Sequence, residues 1–373
     1  MDIPSKEAIV ANVSTMATAI VTNGYGSFAL AKVELGAPQV GEVLVQLKAS
    51  GVCHTDLDSL AWKRRLILGH EGAGVVIACG ENVPNVRAGD RVLLNWAIPC
   101  GMCFQCRNGA ENICEQKPSV PSDRFRCGSD PVSTAFGLGT MSTHTVVPWQ
   151  AVVRIDIDIP FPSAAILGCG VMTGFGSVVN AARVEKGSSV VVLGTGGVGL
   201  SVIQGAAYAC SRMIIAIDVN PDRLTLARQF GATHTIQANR NDVGLRGAAQ
   251  EVKAMIGRGA DYAFECTAVP ELAAAPLSMI RNGGTAIAVS GVEQVVAVDM
   301  ELFEWDKRYI NPLYGQCRPA RDFPLLLSLY EQGRLKLDEM VTRTYPLSEL
   351  ADAFEHMKQG INAKGVLVPD DSD

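Results

Sequence analysis

The stretch Ser189-Val-Val-Val-Leu193-Gly194-Thr-Gly196-Gly197-Val-Gly199-Leu200 decides the fold of this 373-residue chain. A short apolar, strand-like run meets glycines spaced G-x-G-x-x-G, and a helix-like run, Leu200–Ala209, follows. With 37 glycines in the chain the spacing alone is weak, so its place between strand and helix gives it meaning. There Gly194 permits a tight turn, Gly196 and the following Gly197-Val198 let the backbone approach a pyrophosphate, and Gly199 lets helix pack on strand. The helix start then offers free N–H groups and partial positive charge to phosphates. Asp218 ends the next strand-like run, Met213–Ile217. A carboxylate there bonds ribose hydroxyls and repels a 2′-phosphate, which favours NAD over NADP. Arg223 pulls the other way, as a cation that accommodates such a phosphate. The plainer reading of Asp218 is a solvated strand end or a helix cap before Pro221.

Working outward, Val190–Leu193, Met213–Ile217, Tyr262–Phe264 and Thr285–Val289 alternate with helical stretches. That alternation predicts a parallel sheet with helices on both faces. From about residue 18 to 165 the texture differs: Glu42–Leu47, Ala73–Ala78, Arg91–Asn95 and Thr143–Val147 are β-like runs separated by Gly, Pro, Asn and Asp. This predicts an antiparallel β domain. The tail holds an amphipathic segment, Leu347–Lys358, and a strand-like Val366–Val368. The expected division is a first domain of residues 1–170, completed by 311–373, around a nucleotide domain of 171–310. Residues 1–17 carry nothing diagnostic; Ser5–Val10 reads as a short helix or a disordered lead.

Hydrophobic residues make up 48% of the chain and the formal charge is −6. The charge gives no support to nucleic-acid or anionic-membrane binding, and no apolar run approaches the ~20 residues that span a bilayer. Residues 1–20 lack the pattern of a signal peptide. The expectation is a soluble, cytoplasmic protein whose partner is a small molecule.

Eleven cysteines in such a chain argue for metal and buried thiols. Cys100, Cys103, Cys106 and Cys114 are spaced Cys-x2-Cys-x2-Cys-x7-Cys in a stretch with no helical or strand period. Four thiolates close a tetrahedron around Zn²⁺ with no open position, which is a structural site. Disulfides and an iron–sulfur cluster are the alternatives; ferredoxins use a similar triple run. Two further groups lie on either side: Gly51-Val-Cys53-His54-Thr55-Asp56 with Gly69-His70-Glu71-Gly72, and Gly168-Cys169-Gly170. Neither has a metal spacing of its own. Cys79, Cys127, Cys210, Cys266 and Cys317, with His144, His234 and His356, read as structural.

In their order these motifs resemble the zinc-dependent alcohol dehydrogenases of the medium-chain dehydrogenase/reductase superfamily, over about residues 18–368. The resemblance implies a GroES-like antiparallel β catalytic domain plus a Rossmann doubly wound parallel-sheet domain, an α/β protein. It implies two zinc ions per subunit: a catalytic one on Cys53, His70 and Cys169, and the structural one on Cys100, Cys103, Cys106 and Cys114. It also implies hydride transfer between an alcohol or aldehyde and NAD, with zinc as the Lewis acid. By position, Thr55 accepts the alcohol proton, Asp56 fixes the His70 tautomer, and Glu71 stands behind the metal. His54 contacts the pyrophosphate, Thr173 and Val292 flank the nicotinamide, and Lys364 replaces a phosphate-binding Arg, keeping charge without the bidentate fork. A homodimer or homotetramer is implied.

Two departures stand out. Asp58 occupies the position of the histidine that ends the proton relay in liver-type enzymes, so the relay ends at Asp58, His54 or water. The Asp58–Leu68 loop and the Cys114–Cys127 stretch are shorter than in those enzymes, which leaves substrate size and subunit contacts open. Trp62, Trp96, Phe125 and Met141 are candidate contributors to the substrate pocket. The rival readings are a thiol-dependent formaldehyde dehydrogenase, a zinc-free reductase on the same fold, and a non-enzymatic zinc-lobed protein.

Overall fold

Residues 14–292 and 294–370 are described by a computed structural model of the chain, so the Ser5–Val10 expectation lies outside the described residues. The strand Ser189–Leu193 sits in the middle of a six-stranded sheet. The order is His234–Gln237, Met213–Asp218, Ser189–Leu193, Ala260–Glu265, Ile280–Ala288, Arg308–Ile310. Every neighbouring pair is parallel. The strand order reverses beside Ser189–Leu193, and helix Gly197–Tyr208 begins at that switch point. All five residues of the strand are buried, which explains a continuous apolar run in place of alternation. Val190 and Val192 enter one core with Leu200 and Ile203, while Val191 and Leu193 enter another with Ile215 and Val252. One strand thus serves two faces, and each buried Val or Leu contributes roughly 1.5–3 kcal/mol.

The remaining strands form two further sheets. The ten-residue strand Glu42–Gly51 is the hub of the larger, pairing antiparallel with Gly72–Cys79, His144–Pro148 and Lys364–Leu367. The other is built on Thr15–Thr22 against Phe28–Leu35. Antiparallel pairing dominates, as expected, with two parallel exceptions: Leu66–Ile67 with Ser133–Thr134, and Val341–Tyr345 with Lys364–Leu367. The amphipathic tail segment opens as a 3-10 turn, Leu347–Glu349, and continues as helix Leu350–Gln359, ended by Gly360 at φ 72°. Its apolar face, Leu350, Ala353 and Phe354, packs on Ile20, Val52 and Leu68. In the antiparallel register Val366 lies opposite Gly51, which brings Lys364 close to the loop carrying Cys53.

Among the described residues no single helix is long and apolar enough to cross a membrane. One bent pair, Phe161–Gly168 with Gly170–Ala182, passes on length and composition together, and most of its apolar residues sit in the core between the sheets.

Candidate active site

Cys53, His70, Glu71 and Cys169 each offer one ligand atom, and these atoms all lie within 4.8 Å of one another. They arrive from three elements. Cys53 caps the short helix His54–Ser59; His70 and Glu71 occupy the turn into strand Gly72–Cys79; Cys169 is the joint before helix Gly170–Gly176. Asp56 ties two of them together: its Oδ2 accepts the Cys53 backbone N–H at 3.0 Å, and its Oδ1 lies 2.9 Å from His70 Nδ1. A ring donating from Nδ1 presents Nε2 to the cluster. Asp56, His70 and Glu71 are all buried.

Glu71 shapes the rear wall. Its Oε1 accepts from Lys364 Nζ at 2.6 Å, while Oε2 is buried with no partner among the described residues. Gly51 makes room for it, since a Cβ there would lie 2.0 Å from Oε2. Burial pushes the Glu71 carboxyl up to about 7 against the pull of Lys364. Burial works equally against the Lys364 ammonium, yet Glu71 and the sulfurs of Cys53 and Cys169 hold it above the ordinary lysine range. A hydrogen bond from Cys169 keeps the Cys53 thiol well below its usual pKa, and Cys169 itself is raised by the same contact and by burial. Two sulfurs, an imidazole and a carboxylate oxygen converging on one point form a donor set suited to Zn²⁺.

The second cluster is Cys100, Cys103, Cys106 and Cys114. Its Sγ–Sγ separations include 4.0 Å for Cys100–Cys106 and 3.9 Å for Cys103–Cys114. Zinc with ~2.3 Å bonds to four sulfurs needs edges of about 3.8 Å, whereas a disulfide needs ~2.05 Å. All the cysteines are free thiols. Backbone N–H groups of Met102, Cys103, Cys106 and Cys100 point at the sulfurs of Cys100, Cys100, Cys103 and Cys114 at 3.2–3.5 Å. Such donors favour thiolate, and the Cys106 N–H brings Cys103 down to about 6.

A cleft of about 720 Å³ joins the glycine turn to the first cluster. His54, Cys53, Gly194, Gly196, Gly197, Val198, Asp218, Arg223 and Lys364 all line it. Gly194 has φ 81°, the left-handed conformation that the turn demands. Gly199 faces away from the cleft, where a Cβ would lie 1.9 Å from the Gly194 oxygen. A Cβ on Gly196 would meet nothing within 4 Å, so that backbone faces open space where a phosphate can approach. Asp218 is more engaged than its sequence position suggests. Its Oδ2 accepts from the Thr195 N–H (2.8 Å) and hydroxyl (2.9 Å), and its Oδ1 from the Asn220 N–H (3.0 Å). Of about four lone-pair sites on a carboxylate, one is left for a ribose.

Other residues singled out in the sequence fall elsewhere. Thr55 Oγ1 lies 3.7 Å from Cys53 Sγ, beside the cluster. Asp58 is exposed on the same helix and does not line the cleft. Thr173 is one turn beyond Cys169, its N–H bonded to the Cys169 carbonyl. Val292 lines a separate cavity of about 200 Å³ with Glu265 and Tyr309. Phe125 belongs to the core under Thr15–Thr22, and Met141 to the core with Leu68, so neither faces the cluster directly. The ring that does face His70 is Phe136, at 4.8 Å, which sequence reasoning missed. It sits between short elements with no period to mark it.

Residues 39–157 match the model of the alcohol dehydrogenase GroES-like domain, and residues 197–331 that of the zinc-binding dehydrogenases. The S-(hydroxymethyl)glutathione dehydrogenase of Synechocystis is 33% identical over 354 residues, 91% of this chain and 95% of that protein. The enzyme of that name from Paracoccus denitrificans is 33% identical over 361 residues, 90% of this chain and 95% of its own. The crystal structure of benzyl alcohol dehydrogenase from Acinetobacter calcoaceticus superposes with a TM-score of 0.86 at 29% identity, covering 95% of this chain and all of that one. An alcohol dehydrogenase zinc-binding domain protein from Burkholderia ambifaria gives a TM-score of 0.88 at 30% identity, over 96% of this chain and 100% of its own. With two cysteine-rich donor sets and a nucleotide-type cleft already in place, these likenesses identify the chain as an oxidoreductase belonging to the zinc-dependent alcohol dehydrogenase family of the medium-chain dehydrogenase/reductase superfamily.

Proposed function

We propose that the chain oxidises a small-molecule alcohol, or reduces the matching aldehyde, using NAD and a zinc ion held by Cys53, His70 and Cys169. The observation that carries this is the meeting of those three donors beside the cleft that begins at Gly194, whose lining Cys53 shares. Zinc bound there supplies a Lewis acid for the alcohol or carbonyl oxygen, and the nicotinamide supplies the hydride carrier. The second zinc belongs to Cys100, Cys103, Cys106 and Cys114, as a closed structural site.

The chain's own groups divide the remaining work. Asp56 fixes the His70 ring, and Glu71 supplies negative charge behind the cluster, balanced by Lys364. An ammonium has three donors, so Lys364 can hold Glu71 and still reach a phosphate at the cleft wall. Thr55, beside Cys53, takes the alcohol proton and passes it to His54, which is exposed on the cleft wall. His54 is preferred to Asp58 because Asp58 does not line the cleft. Gly194, Gly196, Gly197 and Val198 bind the pyrophosphate, with Gly199 holding helix to strand. Asp218 takes a ribose hydroxyl through its remaining lone pair, and Arg223 borders the same ribose. Thr173, one turn beyond Cys169, flanks the nicotinamide, whereas Val292, which lines the separate cavity, is left out of that role.

The proposed division of the chain is 1–170 with 311–373 as catalytic domain and 171–310 as nucleotide domain. Pairing of Lys364–Leu367 with Glu42–Gly51 supports it. We place the protein in the cytoplasm as a homodimer or homotetramer. Among the described residues the edge strand Arg308–Ile310 has one sheet neighbour, and Val295, Met300 and Trp305 just before it are exposed. The test is a panel of alcohols and S-hydroxymethyl thiols with NAD and with NADP, paired with metal counting. Two zinc ions per chain and NAD-linked alcohol oxidation are expected. A single zinc with enone or quinone reduction would overturn the reading, and preference for S-(hydroxymethyl)glutathione, the substrate named for two relatives, would redirect it.

A further inference from the structure

Cys169 sits between two helical elements and belongs to neither. The 3-10 turn Ile166–Gly168 ends before it and helix Gly170–Gly176 begins after it, with Cys169 at φ −146°, ψ −80°. The direction of its sulfur depends on the tilt of the peptide that joins it to Gly168, because that unit is planar and rotates as one piece. The oxygen of this peptide is held from 146 residues away: the Tyr314 hydroxyl donates to the Gly168 carbonyl at 2.5 Å. Tyr314 is 1% exposed, and its ring packs on Trp96 at 4.4 Å between centroids. It does not line the nucleotide cleft, so its contact with the site runs through the Gly168 carbonyl.

The turn that carries Tyr314 is costly to form. Tyr314, Gly315 and Gln316 have φ 54°, 58° and 52°, and left-handed backbone is unfavourable for a bulky side chain. Such a turn persists only where its surroundings over-determine it. On one side Asn180 donates to the Gly315 carbonyl at 3.2 Å and to Asp322 Oδ2 at 3.1 Å. Gly315 and Gly176 lie back to back, since a Cβ on Gly315 would come within 2.7 Å of the Gly176 Cα. Asp322, itself buried, also accepts the Arg318 N–H at 2.8 Å. On the other side the cysteine lobe takes hold. Asn112 Nδ2 donates to the Leu313 carbonyl at 2.8 Å, and Arg318 Nε donates to the Gly109 carbonyl at 2.6 Å. Residues 313–322 therefore form a strap between the lobe and the helix that follows Cys169, and the Tyr314 hydroxyl projects from it to Gly168.

We propose that Tyr314 is a positioning residue for Cys169. Fixed by a strap anchored in the lobe, its hydroxyl sets the Gly168–Cys169 peptide and so aims the sulfur at the zinc shared with Cys53 and His70. The proposal rests on the zinc alcohol dehydrogenase reading above. Groups that orient a ligand without touching the metal typically account for roughly 10- to 100-fold in its affinity. Tyr314→Phe keeps the ring against Trp96 and removes only the hydroxyl, which leaves the Gly168 oxygen free to turn.

The test starts from the two-zinc protein. It reads zinc affinity by competition with a chromophoric chelator, and the sulfur-to-metal charge-transfer bands after cobalt replaces the cleft zinc. Tyr314→Phe should weaken cleft zinc about tenfold and shift those bands, with the lobe zinc retained. Arg318→Met releases the strap from the lobe at an exposed position and leaves both sulfur sets untouched. It should weaken cleft zinc about threefold. Tyr309→Phe is the matched control, because it takes another tyrosine hydroxyl from a carbonyl, that of Ala273 at 2.9 Å. Cleft affinity and bands should stay as they are in that variant, and an equal shift there would overturn the proposal. Unaltered affinity and bands in Tyr314→Phe would also overturn it, even with a lower melting temperature, since a merely structural hydroxyl would give that result. So would wild-type affinity in Arg318→Met, the variant that decides the matter if Tyr314→Phe does not fold. A wild-type protein that holds zinc only in the lobe would overturn the dehydrogenase reading itself, and the proposal would fall with it.

Discussion

The two cysteine-rich clusters solve the same coordination problem in opposite ways. The lobe draws all four sulfurs from residues 100–114 and steadies them with backbone N–H groups of the same loop. The cluster at the cleft gathers Cys53, His70 and Cys169 from three elements and surrounds them with ionisable side chains: Asp56, Glu71 and Lys364. Backbone donors give a site that is rigid and chemically quiet. Buried carboxylates and an ammonium are costly to hold in the folded chain, and they give a site whose charge can be used. On the proposed reading, the contrast separates a site that holds the chain together from one that does chemistry.

The sharpest way to break that contrast is Cys169→Ser. Activity should fall by more than the roughly 10- to 100-fold typical of outer-shell changes, one zinc should remain, and the melting temperature should barely move. Retained activity in this variant would dissolve the distinction. Cys103→Ala should do the reverse in stability: one zinc lost from the lobe and a melting temperature lower by about 5 °C or more, read by calorimetry. Asp56→Asn sharpens the comparison further. It should weaken zinc at the cleft roughly 10- to 100-fold in a chelator competition, with lobe zinc unaffected. The smallest effect belongs to a site remote from both clusters. Asp261 accepts from the Ser189 N–H and hydroxyl, both at 2.8 Å, and from Arg281 at 2.7 Å. Burial alone would raise its carboxyl, but these donors outweigh it and hold it below the ordinary value of 3.8. Its stabilisation is therefore present above about pH 4 and lost as pH falls through the lower folded value. Asp261→Asn should cost about 1–3 kcal/mol at pH 7 and flatten the acid limb of a melting-temperature profile.

The same contrast explains what the sequence could disclose. The lobe was legible from spacing because its four sulfurs are neighbours in the chain. The parallel sheet was legible because buried central strands such as Ser189–Leu193 are apolar throughout and end in the glycine turn. Cys53, His70 and Cys169 have no spacing of their own, and only family resemblance connected them. Nothing in the sequence tied Lys364 to Glu71, because that contact depends on strand register. Nor did periodicity point to Phe136, whose position follows from one residue held at positive φ between glycine-rich turns. The partial occupation of Asp218 by Thr195 and Asn220 was equally hidden, being a matter of side-chain direction.

The Lys364–Glu71 contact bridges 293 residues, and that separation sets an order of events during synthesis. A nascent chain emerges from the ribosome with every proposed zinc ligand long before its counter-ion for Glu71. Until then the Ser50–Gly51 end of the hub strand lacks its Lys364–Leu367 neighbour and presents an open edge. The redox centre should consequently mature last, after the nucleotide half has folded.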